Sequence, residues 1–430
     1  MSANHRGITV FEGIAIVSGI VIGAGIFKTP SLVAQNCTSK ISLIITWILG
    51  GAISFIGALC YAELSSTYPG RGGDYHFLFR ALGSRVAFLF AWARLMVIQT
   101  GSIAMLGFLI GDYASEIVSL GPFSSSLYAS LIICIFTMSN IFGIQISSLV
   151  QKILFMLVIS GLFYVVFSGL FFSSVKIDSP RGIQNEAVFG KAMIFVLLTY
   201  GGWNEAAFLS AEIKQGRKNI IKVLLYSILL ITAIYVLMNL ALVRGIGFSG
   251  LAESTAAAAD LMATVNGRAG VAIISILVVV ASMGTVNAAI LTGGRSAFVL
   301  GKDFPVFRYI SFWNRKREQP VRALVLQALV AILLVIAGTG SRDGFVLMVE
   351  YTAPVFWLFF LLSGISLFIL RKKDLRSQRF FKVPFYPLTP LLFCAFSFFM
   401  LYSSILHSGV GALVGLAVLL SGLVLSKSGK

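Results

Sequence analysis

Long apolar runs recur along the whole chain, separated by short stretches of polar and charged residues. A helix crosses the hydrocarbon core of a bilayer with about 20 apolar residues. Runs of that size lie near 9–36, 41–67, 85–111, 125–143, 147–172, 189–211, 219–243, 269–294, 321–338, 345–370, 384–404 and 409–426. They predict about twelve transmembrane helices in an all-α integral membrane protein. The strands of a membrane barrel would be about ten residues of alternating pattern, shorter and less continuous than these. The first run is rich in glycine and has no Ala-x-Ala site near its end. It is therefore expected to stay as a span and not to be cleaved as a signal.

Composition agrees with this pattern. Of 430 residues, 58% are hydrophobic and 11% are charged, against about 25% charged in a soluble domain. That excludes a water-soluble enzyme and a disordered chain. The net charge of +17 has two readings, nucleic acid or basic cytoplasmic loops, and its distribution separates them. With the N-terminus in the cytoplasm, 24 of the 33 Lys and Arg fall on the cytoplasmic side and 8 outside, with Arg94 inside the third run. This is the positive-inside asymmetry. It predicts a multi-pass protein of the plasma or inner membrane with both termini cytoplasmic and basic faces at 212–222, 295–322 and 371–382. No basic groove with interleaved aromatics stands outside the membrane, so no nucleic-acid partner is expected.

The four cysteines, Cys37, Cys60, Cys134 and Cys394, form no CxxC, and His5, His76 and His407 lie outside the apolar runs. No disulfide framework, metal site or cofactor is expected. A membrane enzyme would need a buried nucleophile with a base, or a metal cluster, and no HExxH occurs. A primary pump lacks its GxxxxGK[ST] loop. A channel would show repeated filter loops, which are absent.

Two runs are interrupted in the middle. The first contains Val21-Ile22-Gly23-Ala24-Gly25-Ile26-Phe27 followed by Thr29-Pro30, and the sixth contains Tyr200-Gly201-Gly202-Trp203-Asn204. Glycine weakens a helix by about 1 kcal/mol, and opened backbone in lipid survives only where it lines a cavity or is buried in protein. The free N–H groups of a following half-helix attract an anion, and the free carbonyls ending a preceding half attract a cation. Together they suit a zwitterion. One Gly pair among 42 glycines would indicate only close helix packing. Two breaks in spans one and six, at matching places of two five-helix halves, indicate more. They predict an inverted repeat, 8–172 and 189–370, with two further helices in 384–426, all in one transporter domain.

Gly23-Ala24-Gly25-Ile26-Phe27, Tyr61-Ala62-Glu63-Leu64, Tyr68-Pro69-Gly70-Arg71-Gly72-Gly73-Asp74-Tyr75 and Tyr200-Gly201-Gly202-Trp203-Asn204 resemble the amino acid–polyamine–organocation superfamily. Val286-Asn287, Gly293-Gly294-Arg295 and Phe380-Phe381-Lys382-Val383-Pro384 extend the likeness. It is strongest to the L-type amino acid transporters and their bacterial relatives, over about residues 8 to 405. The resemblance implies a LeuT-type fold and alternating-access transport of amino acids. It implies a substrate carboxylate on N–H groups of Ala24, Gly25 and Ile26, and an ammonium on carbonyls near Val21, Leu198 and Gly201. The chain departs from the family in three places. Val158 stands where many members have a helix-five Lys, which leaves proton symport, sodium symport, exchange and facilitated diffusion open. Leu198 replaces an aromatic gate. The loop 112–124 has no Cys, so no disulfide-linked heavy chain is expected.

The candidate substrate site is thus Val21, Ile22, Gly23, Ala24, Gly25, Ile26, Leu198, Tyr200, Gly201, Gly202, Trp203 and Asn204. Ionisable groups inside spans are further candidates. Glu205 follows the second break, as a proton carrier or as an anchor of helix six. Arg94 reads as a structural ion pair with Glu205 or Glu63, and Glu63 as an anchor at a helix end. Gln99, Ser102, Ser282, Thr285 and Asn287 line the pocket or bond neighbouring helices. With no carboxylate inside the breaks, a neutral amino acid is expected. A cationic amino acid or polyamine is the alternative, and a transporter-like sensor is the reading from another class.

Overall fold

A computed structural model describes residues 9–23, 25–68, 73–142, 148–172, 188–205, 216–314, 316–317, 319–341, 343–375 and 378–427. Ala24 and the side chain of Glu205 lie outside the described residues, as does the chain from 206 to 215 that follows the second break.

The described chain is helical, with no strand beyond one isolated bridge. Its helices are α1 (Val10–Val21), α2 (Gly25–Ala34), α3 (Lys40–Thr67), α4 (Gly73–Leu82) and α5 (Ser84–Ala93). A π-helical turn, Arg94–Ile98, leads into α6 (Gln99–Ile117), then α7 (Ser124–Ile141), α8 (Ser148–Phe171) and α9 (Phe189–Tyr200). There follow α10 (Gly216–Glu253), α11 (Ala257–Asp303), α12 (Val321–Gly338), α13 (Gly344–Lys373), α14 (Leu388–His407) and α15 (Val410–Lys427). Among the described residues, eight helices are long and apolar enough to cross a bilayer, and shorter apolar helices lie in the first, fifth, sixth and twelfth predicted runs. Side chains such as Phe11, Phe163 and Leu333 remain exposed on this surface, which suits lipid and not water.

Helix starts follow ordinary capping chemistry. Thr9 and Glu12 form a capping box at α1, Ser39 and Ser42 form one at α3, and Asp343 caps α13. Each satisfies N–H groups that the first turn leaves without partners.

Two stretches differ from the sequence expectation. The runs 219–243 and 269–294 continue as helix well beyond their apolar limits. In α10 the chain bends at Gly247 (φ 77°), and in α11 at Gly267 (φ 57°). Both glycines adopt the left-handed region that side chains disfavour. The short helical pieces beyond them, including Ala257–Met262, bury small residues such as Ala257 and Ala258 and are too short to cross a bilayer by themselves.

The interrupted spans sit inside the bundle. Helix α3 packs along α10, α10 along α1, and α2 along α9, while α11 runs against α6 and α8. Small residues permit this closeness. A methyl on Gly50 would fall 2.3 Å from Val196 Cγ1, and one on Gly51 would fall 2.4 Å from the Thr232 hydroxyl.

At the face that carries the basic loops, Glu63 is 1% exposed. Its carboxylate takes two hydrogen bonds from Arg371, lies 3.4 Å from Arg379 Nε, and accepts the Val383 N–H at 2.7 Å. This replaces the expectation of an anchor at the membrane surface or a partner for Arg94. Glu63 is an internal tie between α3 and the end of α13. Tyr68 donates to Asp374 at 2.9 Å, and Tyr75 of α4 donates to Asp303 at 2.9 Å.

Candidate substrate site at the two helix breaks

Helix α1 stops at Val21. Ile22 leaves the helical region (φ −74°, ψ 72°) while its N–H still reaches the Ser18 carbonyl. The Gly23 N–H then turns back on the Val21 carbonyl at 2.7 Å. Helix α2 restarts at Gly25, so the N–H groups of Gly25 and Ile26 belong to a helix's first turn, where no intrahelical acceptor exists.

Helix α9 stops at Tyr200. Gly201 is extended (φ −57°, ψ 156°), with its N–H on the Leu198 carbonyl at 2.9 Å. Gly202 takes φ 102°, and a short 3₁₀ turn, Trp203–Glu205, follows. A methyl on Gly201 would lie 2.8 Å from the Leu198 carbonyl oxygen, so this turn needs glycine for space and the next one for its dihedral.

The two breaks meet. The Thr199 and Thr29 hydroxyls are 2.8 Å apart, and a methyl on Gly25 would point at Thr199 Cγ2, 3.9 Å away. The Tyr235 hydroxyl, from the middle of α10, lies 2.9 Å from the Val21 carbonyl oxygen and 3.0 Å from that of Thr199. Tyr235 is fully buried, with its ring edge-on to Trp47 and Tyr200. Sequence reading missed it. A tyrosine inside a span must find a polar partner, but only the fold says which.

A cavity of about 160 Å³ opens beside the second break. Four nominated residues line it, Gln99, Ser102, Gly202 and Asn204, together with Asp74, Arg94 and the ring of Phe360. The π-helical turn at Arg94–Ile98 supplies part of its wall, and such bulges recur at functional sites. Asn204 Nδ2 donates to Asp74 Oδ2 at 3.3 Å. The buried Asp74 also accepts from the hydroxyls of Tyr61 and of Ser363. Asp74 lies in a motif that the sequence displays, yet its side chain was not singled out. Trp203 stacks on Phe360 at 5.5 Å between ring centroids.

Gln99 Nε2 donates to the Ala289 carbonyl at 2.8 Å, and the Ser102 hydroxyl to that of Ile98 at 2.7 Å. Both face the cavity while bonded to backbone. Ser282 is buried in α11 with its hydroxyl on the Val278 carbonyl, and Thr285 lies 3.5 Å from the Ala281 carbonyl. Asn287 Oδ1 accepts from Asn140 Nδ2 at 2.7 Å and joins α11 to α7. Val158 is buried and apolar. Among the described residues, no group of His, Cys, Asp or Glu is placed to hold a metal ion.

A second cavity, about 350 Å³, lies beside Lys28 of α2. There Lys28 Nζ is 3.0 Å from Asp112 Oδ2 and 3.2 Å from Asp343 Oδ2. Ser125 donates to the other Asp112 oxygen at 2.8 Å, and the Tyr113 hydroxyl donates to the Phe27 carbonyl at 3.0 Å. Lys28, one of the eight basic residues counted to the outer side, is a buried clamp from α2 to the ends of α6 and α13.

The sequence profile of the amino acid permease family matches residues 8–423. The chain is 28% identical to the rat (Rattus norvegicus) b(0,+)-type amino acid transporter 1, over 94% of this chain and 83% of that protein. It is 27% identical to the serine/threonine exchanger SteT of Bacillus subtilis, over 94% of this chain and 93% of that one. It is also 27% identical to the mouse (Mus musculus) large neutral amino acids transporter small subunit 2, over 98% of this chain and 80% of that protein. With nearly its whole length matched and two broken helices joined at its centre, the chain belongs to the amino acid permease family.

Proposed function

We propose that this protein is a secondary transporter that moves amino acids, neutral ones first, across the cell membrane by alternating access. The observation that carries the reading is the meeting of the two breaks. The Val21 and Thr199 carbonyls turn toward one hydroxyl, that of Tyr235, while the first N–H groups of α2 begin a few residues away. A substrate carboxylate sits on the N–H groups of Ala24, Gly25 and Ile26. Its ammonium competes with Tyr235 and the Gly23 N–H for the Val21 carbonyl and also uses the carbonyls of Leu198 and Gly201. Helix termini supply both polarities without a charged side chain.

Two halves, 8–172 and 189–370, then rock about this site as an inverted repeat, with 384–426 outside it. The excess of Lys and Arg on one side supports cytoplasmic termini. No covalent chemistry is involved. The relatives named for neutral amino acids and for serine/threonine exchange support a neutral substrate and exchange. Among the described residues that line the cavity, the one acidic side chain, Asp74, already accepts from Tyr61, Ser363 and Asn204. That favours neutral over cationic side chains or polyamines. With Val158 in helix five, the driving force is exchange or proton symport, with sodium as the third option.

Purified protein in liposomes, offered a panel of labelled amino acids, tests this. Uptake that rises with internal amino acid supports exchange, and uptake that rises with an imposed proton or sodium gradient supports symport. Binding without uptake under all conditions identifies a sensor and overturns transport.

A further inference from the structure

The turn between α11 and α12 exposes large aromatic rings and basic side chains together. A 3₁₀ segment, Pro305–Ser311, leads into a tight hairpin closed by the bridge between Asn314 and Gln319. Asn314 Oδ1 accepts the N–H groups of Lys316 and Arg317, which fixes the turn and directs both side chains outward. Tyr309 is 71% exposed, Phe312 46% and Trp313 38%. Basic groups lie on the rings. The Arg322 guanidinium is 4.3 Å from the Tyr309 ring centre and 4.6 Å from that of Phe312, and it donates to the Tyr309 carbonyl at 3.3 Å. Arg317 lies 4.9 Å over Phe142, at the end of α7.

Three features identify what this surface meets. It joins the ends of two spans, so it sits at the hydrocarbon boundary. Its rings are unburied, which suits the headgroup level of a bilayer, where amphipathic rings are stable. Residues 302–322 hold six Lys or Arg against Asp303 and Glu318, and Asp303 is engaged by Tyr75. The excess positive charge needs an anion, and guanidinium groups held by stacking are preorganised for phosphate. Free phosphate would use the cations and leave the exposed rings unexplained. A phospholipid uses both.

We propose that this turn is a binding site for the headgroups of anionic phospholipids of the leaflet that faces the basic loops. Arg308, Arg317 and Arg322 hold the phosphate and its anionic substituent. Tyr309, Phe312 and Trp313 enter the upper acyl region beside it. This is independent of which amino acid is transported.

Native mass spectrometry of the detergent-purified full chain, with phosphatidylglycerol or phosphatidylcholine added in equal amounts, is the test. Each basic group near an anionic surface contributes roughly a fivefold affinity factor. Wild type is expected to retain phosphatidylglycerol preferentially. The Arg308→Gln/Arg322→Gln variant should lose about twenty-five-fold of that preference, whereas Lys382→Gln, an exposed cation of another loop, should keep it. Inorganic phosphate should not displace the lipid. If the double variant fails to fold, wild type in high salt replaces it, and the preference should fall there by screening. Equal retention of the two lipids by wild type overturns the proposal. So does an unchanged preference in the double variant or in high salt, or full displacement by inorganic phosphate. Transport assays do not enter this readout, so it fails or stands apart from the function proposed above.

Discussion

The Tyr235 hydroxyl stands 2.9 Å from the Val21 carbonyl oxygen and so closes the end of the first broken helix from a different span. The same oxygen atom is 3.0 Å from the Thr199 carbonyl, in the last turn before the second break. One side chain therefore bridges both half-helix ends, at the place where an ammonium group is proposed to bind. Its ring is wedged between Trp47 and Tyr200.

Tyr235→Phe keeps that wedge and removes only the hydroxyl. Leaving a buried acceptor without its donor costs about 1–3 kcal/mol. The substrate-free protein should unfold at a lower temperature in detergent, and saturating substrate should recover part of the loss by supplying its own N–H donors. An unfolding midpoint equal to that of wild type would remove the bridge from the argument.

Gly25 separates the site from the scaffold. Among the described residues a methyl there meets only Thr199 Cγ2, at 3.9 Å, so Gly25→Ala should fold and insert normally. Gly25→Leu should insert as well but fill the space next to the first N–H groups of α2 and abolish substrate binding. Equilibrium binding of labelled amino acid to purified variants checks this, and retained binding by Gly25→Leu would refute the site assignment.

Lys28 holds α2 through two carboxylates on different helices. Removing one partner of a buried ion pair costs about 3–5 kcal/mol, and here it leaves Asp112 and Asp343 facing each other. Lys28→Met should release α2 and widen the adjoining cavity. A cysteine introduced at Ser115, in the wall of that cavity, should then react with a water-soluble maleimide several-fold faster than in the Lys28 protein.

Glu63 is enclosed by Arg371, Arg379 and the Val383 N–H. Glu63→Gln should lower stability by about 3–5 kcal/mol, because the guanidinium groups lose their counter-charge. Glu63→Leu combined with Arg371→Leu should cost less than the sum of the two single changes. Thermal unfolding of the four proteins gives the coupling directly.

His76, on α4 and outside the spans, has its pKa lowered by burial and then by the positive charge of Arg80. The neutral form is thus favoured in the folded state. Below the ordinary value of 6.5, the unfolded chain takes up a proton that the folded chain resists. Its contribution is full above that pH and declines as the pH falls toward the lowered value. Stability measured against pH should drop across this window, and His76→Gln should flatten the drop.

The apolar spans and the two breaks are legible in the sequence because each is a local consequence of lipid. A helix needs a certain apolar length, and glycine pairs mark where it opens. Even the charge preference of the breaks follows, since helix ends carry fixed polarity. Gly202 and Asn204 follow from the second break, Gln99 and Ser102 from the rule that a polar group inside a span faces a cavity or a neighbouring helix, and the fold gathers all four around one cavity. The Asn287–Asn140 bond and the buried Ser282 show the limit of the same rule. A polar side chain in a span has many neighbours to choose from, and helical position does not say which it meets. The bends at Gly247 and Gly267 escaped for a related reason, since short outer helices carry no membrane-length apolar signal. Tyr235 over Val21, Lys28 between Asp112 and Asp343, and Glu63 among its arginines are pairings across 84 to 320 positions of sequence. The sequence determined which groups must be satisfied in the membrane. Only the packing of distant helices decided by whom, because a hydrogen bond or ion pair depends on distances of a few ångströms that sequence separation does not contain.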